Sequence, residues 1–480
     1  MASDAEVPGD VEKTTTPEAD ATREVQEHTA IRERALLWKL DLRLLPAVGI
    51  LYLLSFLDRS NVGNAKLEGL AADLNMTGNQ YLTGLTLYFI GYVLFEIPCN
   101  IVLKRTSPKL WLPTLTIVWG IVATLLGVVT NLAGFFVARL FLGSVVFYFS
   151  MWYKRRERQY RISLFFASAA LAGSFGGILA YGIGFMRVVW DDGWHWIFIL
   201  EGLFTIVVAA AAYLFIYNYP ATAGFLSEDE RAYIQNRLAA DSDATHDEAF
   251  SWHNVSEALG DPKCWLYGLS FHTMSLPLYT YSLFIPTIIN ALGYQAADAQ
   301  LLTIPPYAFA FLTTIVVAVL SERLKQRALF TIGSALFAAV GYIILLSNRD
   351  PTHRPGVSYV GTFFAAGGIY PATALVLSWS AVNVSGQTKR AVASAMQISI
   401  GNLGAVLGTQ LYRATDGPRY LVGHGVALAY LLGNVAVSAL LYWLLRRENR
   451  RRAAITAEVQ DVGHLKDWTG DEDPRWRFQY

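Results

Sequence analysis

The chain has 480 residues, of which 54% are hydrophobic and 16% charged, with a mean hydropathy of +0.34. Soluble domains carry about 25% charged residues, so this balance points to a polytopic membrane protein. A formal net charge of zero gives no electrostatic ground for nucleic-acid binding, and two distant cysteines, Cys99 and Cys264, offer neither a metal cluster nor a disulfide framework.

Residues 1–42 are polar and acidic-rich, unlike a cleavable signal peptide. They are expected to form a disordered cytosolic tail, leaving the first helix to direct insertion. Apolar spans are then predicted over 43–65, 81–103, 110–129, 132–153, 162–184 and 196–217. A polar stretch, 218–264, separates these from a second set over 265–289, 300–320, 329–347, 357–379, 391–411 and 424–445. Residues 447–480 form a second cytosolic tail. Six spans plus six around a polar loop outline two repeated halves, 43–217 and 265–446, of an all-α membrane protein with twelve transmembrane helices, the major facilitator architecture.

The first span carries the strongest signal. Its apolar run, Leu44 to Leu57, is 14 residues long, whereas a crossing helix needs about 20. The helix must therefore continue through Asp58, Arg59 and the six residues after them. Charge at hydrocarbon depth is costly and marks substrate or ion pathways; alternatively, Asp58 and Arg59 form an ion pair that only locks helices together.

Lys and Arg cluster after helices 2 (Lys104, Arg105, Lys109), 4, 8 (Arg323, Lys325, Arg327), 10 and 12. The loops after helices 3 and 7 have none. The positive-inside rule puts both termini and the central loop in the cytosol. The sequon Asn75-Met76-Thr77 then falls in an outward loop and is a candidate glycosylation site. Arg139 lies inside helix 4, either facing the interior or snorkelling to the headgroups. In the second half Tyr279, Tyr281, Tyr307, Tyr370, Gln397 and Asn402 are polar groups that either meet a ligand or hold helices together. No P-loop, nucleophile elbow or metal-ligand spacing is present, so neither an enzyme nor an ATP-driven pump is expected, and no cofactor or metal.

Several segments resemble the fungal allantoate and nicotinate permease group, in the anion:cation symporter branch of the major facilitator superfamily: FLDRSNVGNAKL (56–67), YFIGYVLFEIPCNIVLKR (88–105), FYFSMWYKRRERQYRISLFF (147–166), WIFILEGLFT (196–205), LSERLKQR (320–327) and TKRAVASAMQISIGNLGAVLGTQLYR (388–413). The resemblance implies a carrier moving a small organic anion by alternating access, often with protons, most naturally in the plasma membrane. It assigns Arg59 and Arg139 to the substrate carboxylate and Asp58 to the coupling proton. Gln397, Asn402 and Tyr279 are further candidate substrate contacts. Glu96 and Glu201 match family positions and are expected to hold a cytosolic gate with Lys104, Arg105, Arg323 and Arg327. His195 stands where relatives often have arginine, and is expected to be an interfacial residue.

The chain departs from the group in helix 4. About eight residues are missing between Gly143 and Ser144, including a glutamate seven residues after the arginine, where Val146 stands instead. Either the variant is real, with altered proton coupling, or a short coding piece has been lost. The remaining 132–153 is long enough to span, at about 1.5 Å per residue. The leading expectation is a proton-coupled importer of a small carboxylate. A secondary-metabolite transporter of the same fold is the first alternative, and a nutrient-binding protein without flux the second. The expected partners are an organic anion, protons and the bilayer; oligomeric state is not legible.

Overall fold

The computed structural model describes residues 17–143, 153, 155–186, 193–239, 252–458, 471 and 473–480. Every described element is helical: α1 (Pro17–Ser60), α2 (Val62–Leu67), α3 (Leu70–Asp73), α4 (Gly78–Arg105), α5 (Pro108–Leu126), α6 (Leu132–Phe141), α7 (Arg155–Gly184), α8 (Trp194–Phe215), α9 (Glu228–Ala239), α10 (Trp252–Gly260), α11 (Pro262–Ala291), α12 (Ala296–Leu324), α13 (Arg327–Ser347), α14 (Pro355–Asn383), α15 (Gln387–Gly408) and α16 (Leu421–Glu458), with two short 3₁₀ turns. Among the described residues nine helices are long and apolar enough to cross a membrane. The other three predicted spans fall on α4, α6 and α11. Residues 1–46 and 47–480 form two compact units; the first contributes the opening of α1, and the second holds the other helices.

Local chemistry sets the helix starts. Thr77 caps α4 in a reciprocal capping box with Gln80, Asn131 accepts from the Gly134 N–H at α6, and Asp261 accepts from the Lys263 N–H before Pro262 opens α11. The first span does run on past its apolar run. The Asn61 N–H bonds to the Leu57 carbonyl and the Ala65 N–H to that of Asn61, so α1 passes into α2 with little interruption. Asn75, of the outward sequon, is exposed and left-handed (φ 48°), a conformation asparagine tolerates well.

Several boundaries differ from expectation. The tail expected to be disordered to residue 42 is helical from Pro17, and the central polar stretch contains α9 and α10. α7 begins at Arg155 instead of 162, and α16 continues to Glu458 on a solvated, arginine-rich extension. The largest difference is in the fourth span. α6 ends at Phe141 with Leu142 as its cap, a rod of about 15 Å against the roughly 30 Å of a hydrocarbon core. Residues 144–152 of that predicted span, Val146 included, lie outside the described residues.

The two halves meet at both ends. At the outer end Thr86 and Thr409 share a 2.7 Å hydroxyl bond, Gln410 donates to Thr86 (2.7 Å), and Gln300 donates to Glu68 (2.7 Å). At the basic-loop end Gln159 donates to Ser321 (3.1 Å) and accepts from Arg327.

Residues 473–480 form a strap across the basic-loop end of the second half. The Phe478 ring is buried with Tyr267, Ala328, Trp379, Leu441 and Leu445. The Gln479 carbonyl accepts from Trp379 (2.8 Å) and Asn383 (2.7 Å), while its N–H donates to Asn383 (2.8 Å). Arg327 donates to the Gln479 amide as well as to Gln159, tying the strap to the contact between halves. Substituting Asn383→Ala removes the bonds to Tyr267 and to Gln479 in the same buried place. It is expected to cost about 2–3 kcal/mol, seen as a lower thermal midpoint of the purified protein; an unchanged midpoint would mean the strap is not seated.

Candidate anion site

Adjacent helical residues point about 100° apart, and this separates Asp58 from Arg59. Arg59 Nε donates to the Tyr88 hydroxyl (2.8 Å) and Nη1 to that of Tyr279 (2.7 Å). Its guanidinium also lies within 5.7 Å of the ring centroids of Phe56, Tyr88, Tyr92 and Tyr279. Cation–π attraction and charge-assisted bonds to two phenols offset part of the cost of burying the charge. Asp58 turns instead toward Thr205 of α8. The expected ion pair is not formed. The reason is helical phase: the two side chains leave the same turn on different faces.

Arg139 is fully buried (0% exposed), which excludes snorkelling. Its Nε makes a long bond to the Gly84 carbonyl (3.4 Å), and its Cζ lies 4.9 Å from the Tyr88 ring centroid, almost the distance at which Arg59 approaches that ring (5.0 Å). Nη1 and Nη2 of Arg139 have no hydrogen-bond partner among the described residues. Close packing of α4 on α6 brings this about: a methyl added at Gly91 would lie 1.9 Å from the Leu140 carbonyl oxygen. Phe89 stacks edge-on against Tyr279 at 4.7 Å and adds an apolar wall. The result is a buried cluster of two guanidiniums, three tyrosines and two phenylalanines.

The remaining predicted residues divide. Gln397 accepts from Ser380 and donates to the Val376 carbonyl (3.0 Å), so it holds α15 to α14. Asn402 is buried with both amide atoms unpartnered; it shares a face of α15 with Ala405 and Thr409, the residue that meets α4. Glu96 is buried one turn beyond Tyr92, with Oε2 unpartnered, and has no ion pair among the described residues. Glu201 accepts from Asn61, eight residues into α8 from its outer end, and so is not at the cytosolic gate where it was expected. The side chains of Lys104 and Arg105 lie outside those described. Arg323 is exposed, whereas Arg327 is the buried bridge already described. His195 is buried, with Nδ1 2.7 Å from the Gly127 carbonyl and Nε2 3.3 Å from Asp73.

Sequence reasoning missed Tyr88, Tyr92 and Asn61. A signal existed for the tyrosines: Tyr81, Tyr88, Tyr92 and Glu96 recur at spacings of seven, four and four, along one face of α4.

The sequence profile described as Major Facilitator Superfamily matches residues 48–409. The chain belongs to the major facilitator superfamily. It is 34% identical over 472 residues to the "MFS-type transporter cnsO" of Penicillium expansum, covering 93% of this chain and 90% of that one. It is 30% identical over 459 residues to the "High-affinity nicotinic acid transporter" of Saccharomyces cerevisiae, with 93% and 85% covered. Among solved structures, the inward-facing bacterial homologue of the lysosomal transporter Spinster superposes with a TM-score of 0.58 at 15% identity, over 84% of this chain and 96% of that one. The partially occluded, inward-open xylose transporter XylE of E. coli superposes at 0.56 and 13% identity, over 81% and 96%. This major facilitator protein is thus a multi-pass membrane transporter of a small molecule, with twelve helices in two halves, and not an enzyme.

Gly91→Ala is expected to force α4 and α6 apart and to lower stability by about 1–3 kcal/mol. Gly49→Ala, where a methyl meets nothing within 4 Å, is the control. Equal thermal midpoints for the two variants would show that the α4–α6 contact does not set the position of Arg139.

Proposed function

We propose that the protein imports a small organic carboxylate across the plasma membrane by alternating access, in symport with protons. The observation that carries this reading is Arg139, a fully buried guanidinium with two unpartnered nitrogens beside a ring it shares with Arg59. Guanidinium stays charged at any physiological pH and offers a planar fork that matches a carboxylate. An anion entering between the two arginines supplies both the charge and the acceptors that the site lacks. The aromatic walls, Phe89, Tyr88 and Tyr279, suit a flat body behind that carboxylate. A relative named for nicotinic acid supports this substrate class, and the unpartnered amide of Asn402 supports a polar contact from the second half.

The contacts at both ends of the bundle support alternating access: import requires the outer pairs Thr86–Thr409 and Glu68–Gln300, and the inner pairs Gln159–Ser321 and Gln159–Arg327, to break in turn. The roughly eight residues that the fourth span lacks between Gly143 and Ser144, relative to the group it resembles, favour a second reading, in which the protein binds the anion without moving it.

Labelled nicotinate uptake in cells lacking their own carrier tests the proposal. Arg139→Ala is expected to abolish uptake at unchanged surface level, and Arg59→Lys to lower it about tenfold or more, the equivalent of one lost charge-assisted bond. Normal uptake by Arg139→Ala would remove the anion site from this cluster. Binding of labelled nicotinate without uptake by the wild type would favour the second reading.

A further inference from the structure

The face of α1 opposite Arg59 carries a second buried polar cluster that the anion site does not use. Asp58 and Asn61 lie one turn apart on α1 and at its end; Glu201 and Thr205 lie one turn apart on α8. Both carboxylates are almost wholly buried, Asp58 at 4% and Glu201 at 3% exposure. Asn61 donates to Glu201 Oε2 and accepts from Asn64 (3.0 Å). Asp58 Oδ2 and Glu201 Oε1 have no partner. The Thr205 hydroxyl, at 0% exposure, lies against Asp58. A hydroxyl of this kind donates to a carboxylate and accepts from a carboxylic acid, so it serves either protonation state.

Among the described residues no cation pairs with either acid. Arg59 is committed to Tyr88 and Tyr279. Lys66 of α2 lies over the Tyr81 ring at 4.7 Å. His195, six residues earlier on α8, faces Asp73 and the Gly127 carbonyl. On α5 the one charged residue is Lys109, at the basic-loop end, and the charged residues of α7 lie in its first seven positions. Among the described residues neither carboxylate has an ion pair. Asn61, one turn from Asp58, bonds to Glu201, so the two acids lie on facing turns of α1 and α8, where an unpaired charge in a low-dielectric interior is costly and a proton removes it.

We propose that Asp58 and Glu201 form one proton-binding site, the pair holding a single proton that either carboxyl group can carry. The proton enters when water reaches the pair from the outside and leaves when water reaches it from the cytosol. No bond other than O–H is made or broken. Glu201 is thereby a member of the coupling site rather than a gate residue. The assignment of this proton to transport rests on the carboxylate-import reading; the existence of the shared proton does not.

Infrared difference spectra of the purified full-length protein test the site without any substrate. Wild type minus Glu201→Gln, and wild type minus Asp58→Asn, are each expected to show loss of a protonated-carboxyl C=O band at neutral pH, and the double variant to lose no more than one such band. A wild-type spectrum indistinguishable from that of the double variant in this region overturns the proposal. So does loss of the wild-type band on adding sodium chloride at constant pH, which would give the pair to a metal cation. Vesicle uptake of labelled nicotinate then tests the coupling role. Wild-type accumulation is expected to rise as the outside is made more acid, and in Glu201→Gln to fall to the level of passive leak with no response to the pH gradient. An unaltered pH profile in Glu201→Gln overturns the coupling role. Absence of nicotinate uptake by the wild type, with the infrared band present, overturns the substrate reading while leaving the shared proton intact.

Discussion

A guanidinium held within a membrane bundle by phenols, with no carboxylate at its side, is the constraint around which the site is arranged. Arg59 donates to one tyrosine from each half, Tyr88 on α4 and Tyr279 on α11. Neutral oxygens and ring faces temper the charge without cancelling it. A carboxylate in the same place would neutralise the site and leave nothing for an anion to bind. Arg139 repeats the arrangement at the same Tyr88 ring with fewer contacts still. Because Arg59 binds both halves at once, any motion that separates them must break the Tyr279 bond or carry the arginine away from Tyr88. Occupancy of the site and the relation of the halves are thus physically linked.

Helical phase divides labour across a single turn. Asp58 and Arg59 are neighbours in sequence, yet one faces α8 and the other α4 and α11. The acid pair and the cationic cluster therefore share a helix without sharing hydrogen bonds. Rotation or tilt of α1 moves both together. This is a direct mechanical route by which an event at one cluster is felt at the other, with no chain of intermediate residues required.

The sequence made the charges legible and their partners obscure. Asp58, Arg59 and Arg139 stand out because each interrupts an apolar run, and the continuation of the first helix past Leu57 follows from length alone. Their pairing does not follow, because contacts across a bundle depend on helix phase and on close approaches such as that at Gly91. The motif around Glu201 suggests a gate residue because it gives no depth, whereas its position eight residues into α8 sets it against Asn61 at the end of α1. Gln397 and Asn402 look alike in sequence; one is fully bonded and the other not bonded at all, a difference made by their neighbours. The strap opens on an Asp473-Pro474 turn, closed by the Trp476 N–H on the Asp473 carbonyl, but it carries no periodicity that would show where it docks. Its hold depends on partners about a hundred residues away in sequence for some contacts and about thirty for others, so nothing local announces its docking.

That strap bears on how the molecule is made. Residues 473–480 follow every membrane-spanning helix in the chain, so Trp379, Asn383 and Arg327 enter the bilayer long before the groups they bond to have been synthesised. Until then the basic-loop end of the second half holds three buried donors without these acceptors, together with the apolar recess that Phe478 fills. Assembly of the second half therefore finishes from the aqueous side, by docking of a late segment, and not within the plane of the membrane. A segment translated after α16 serves as the closing piece of this end of the fold.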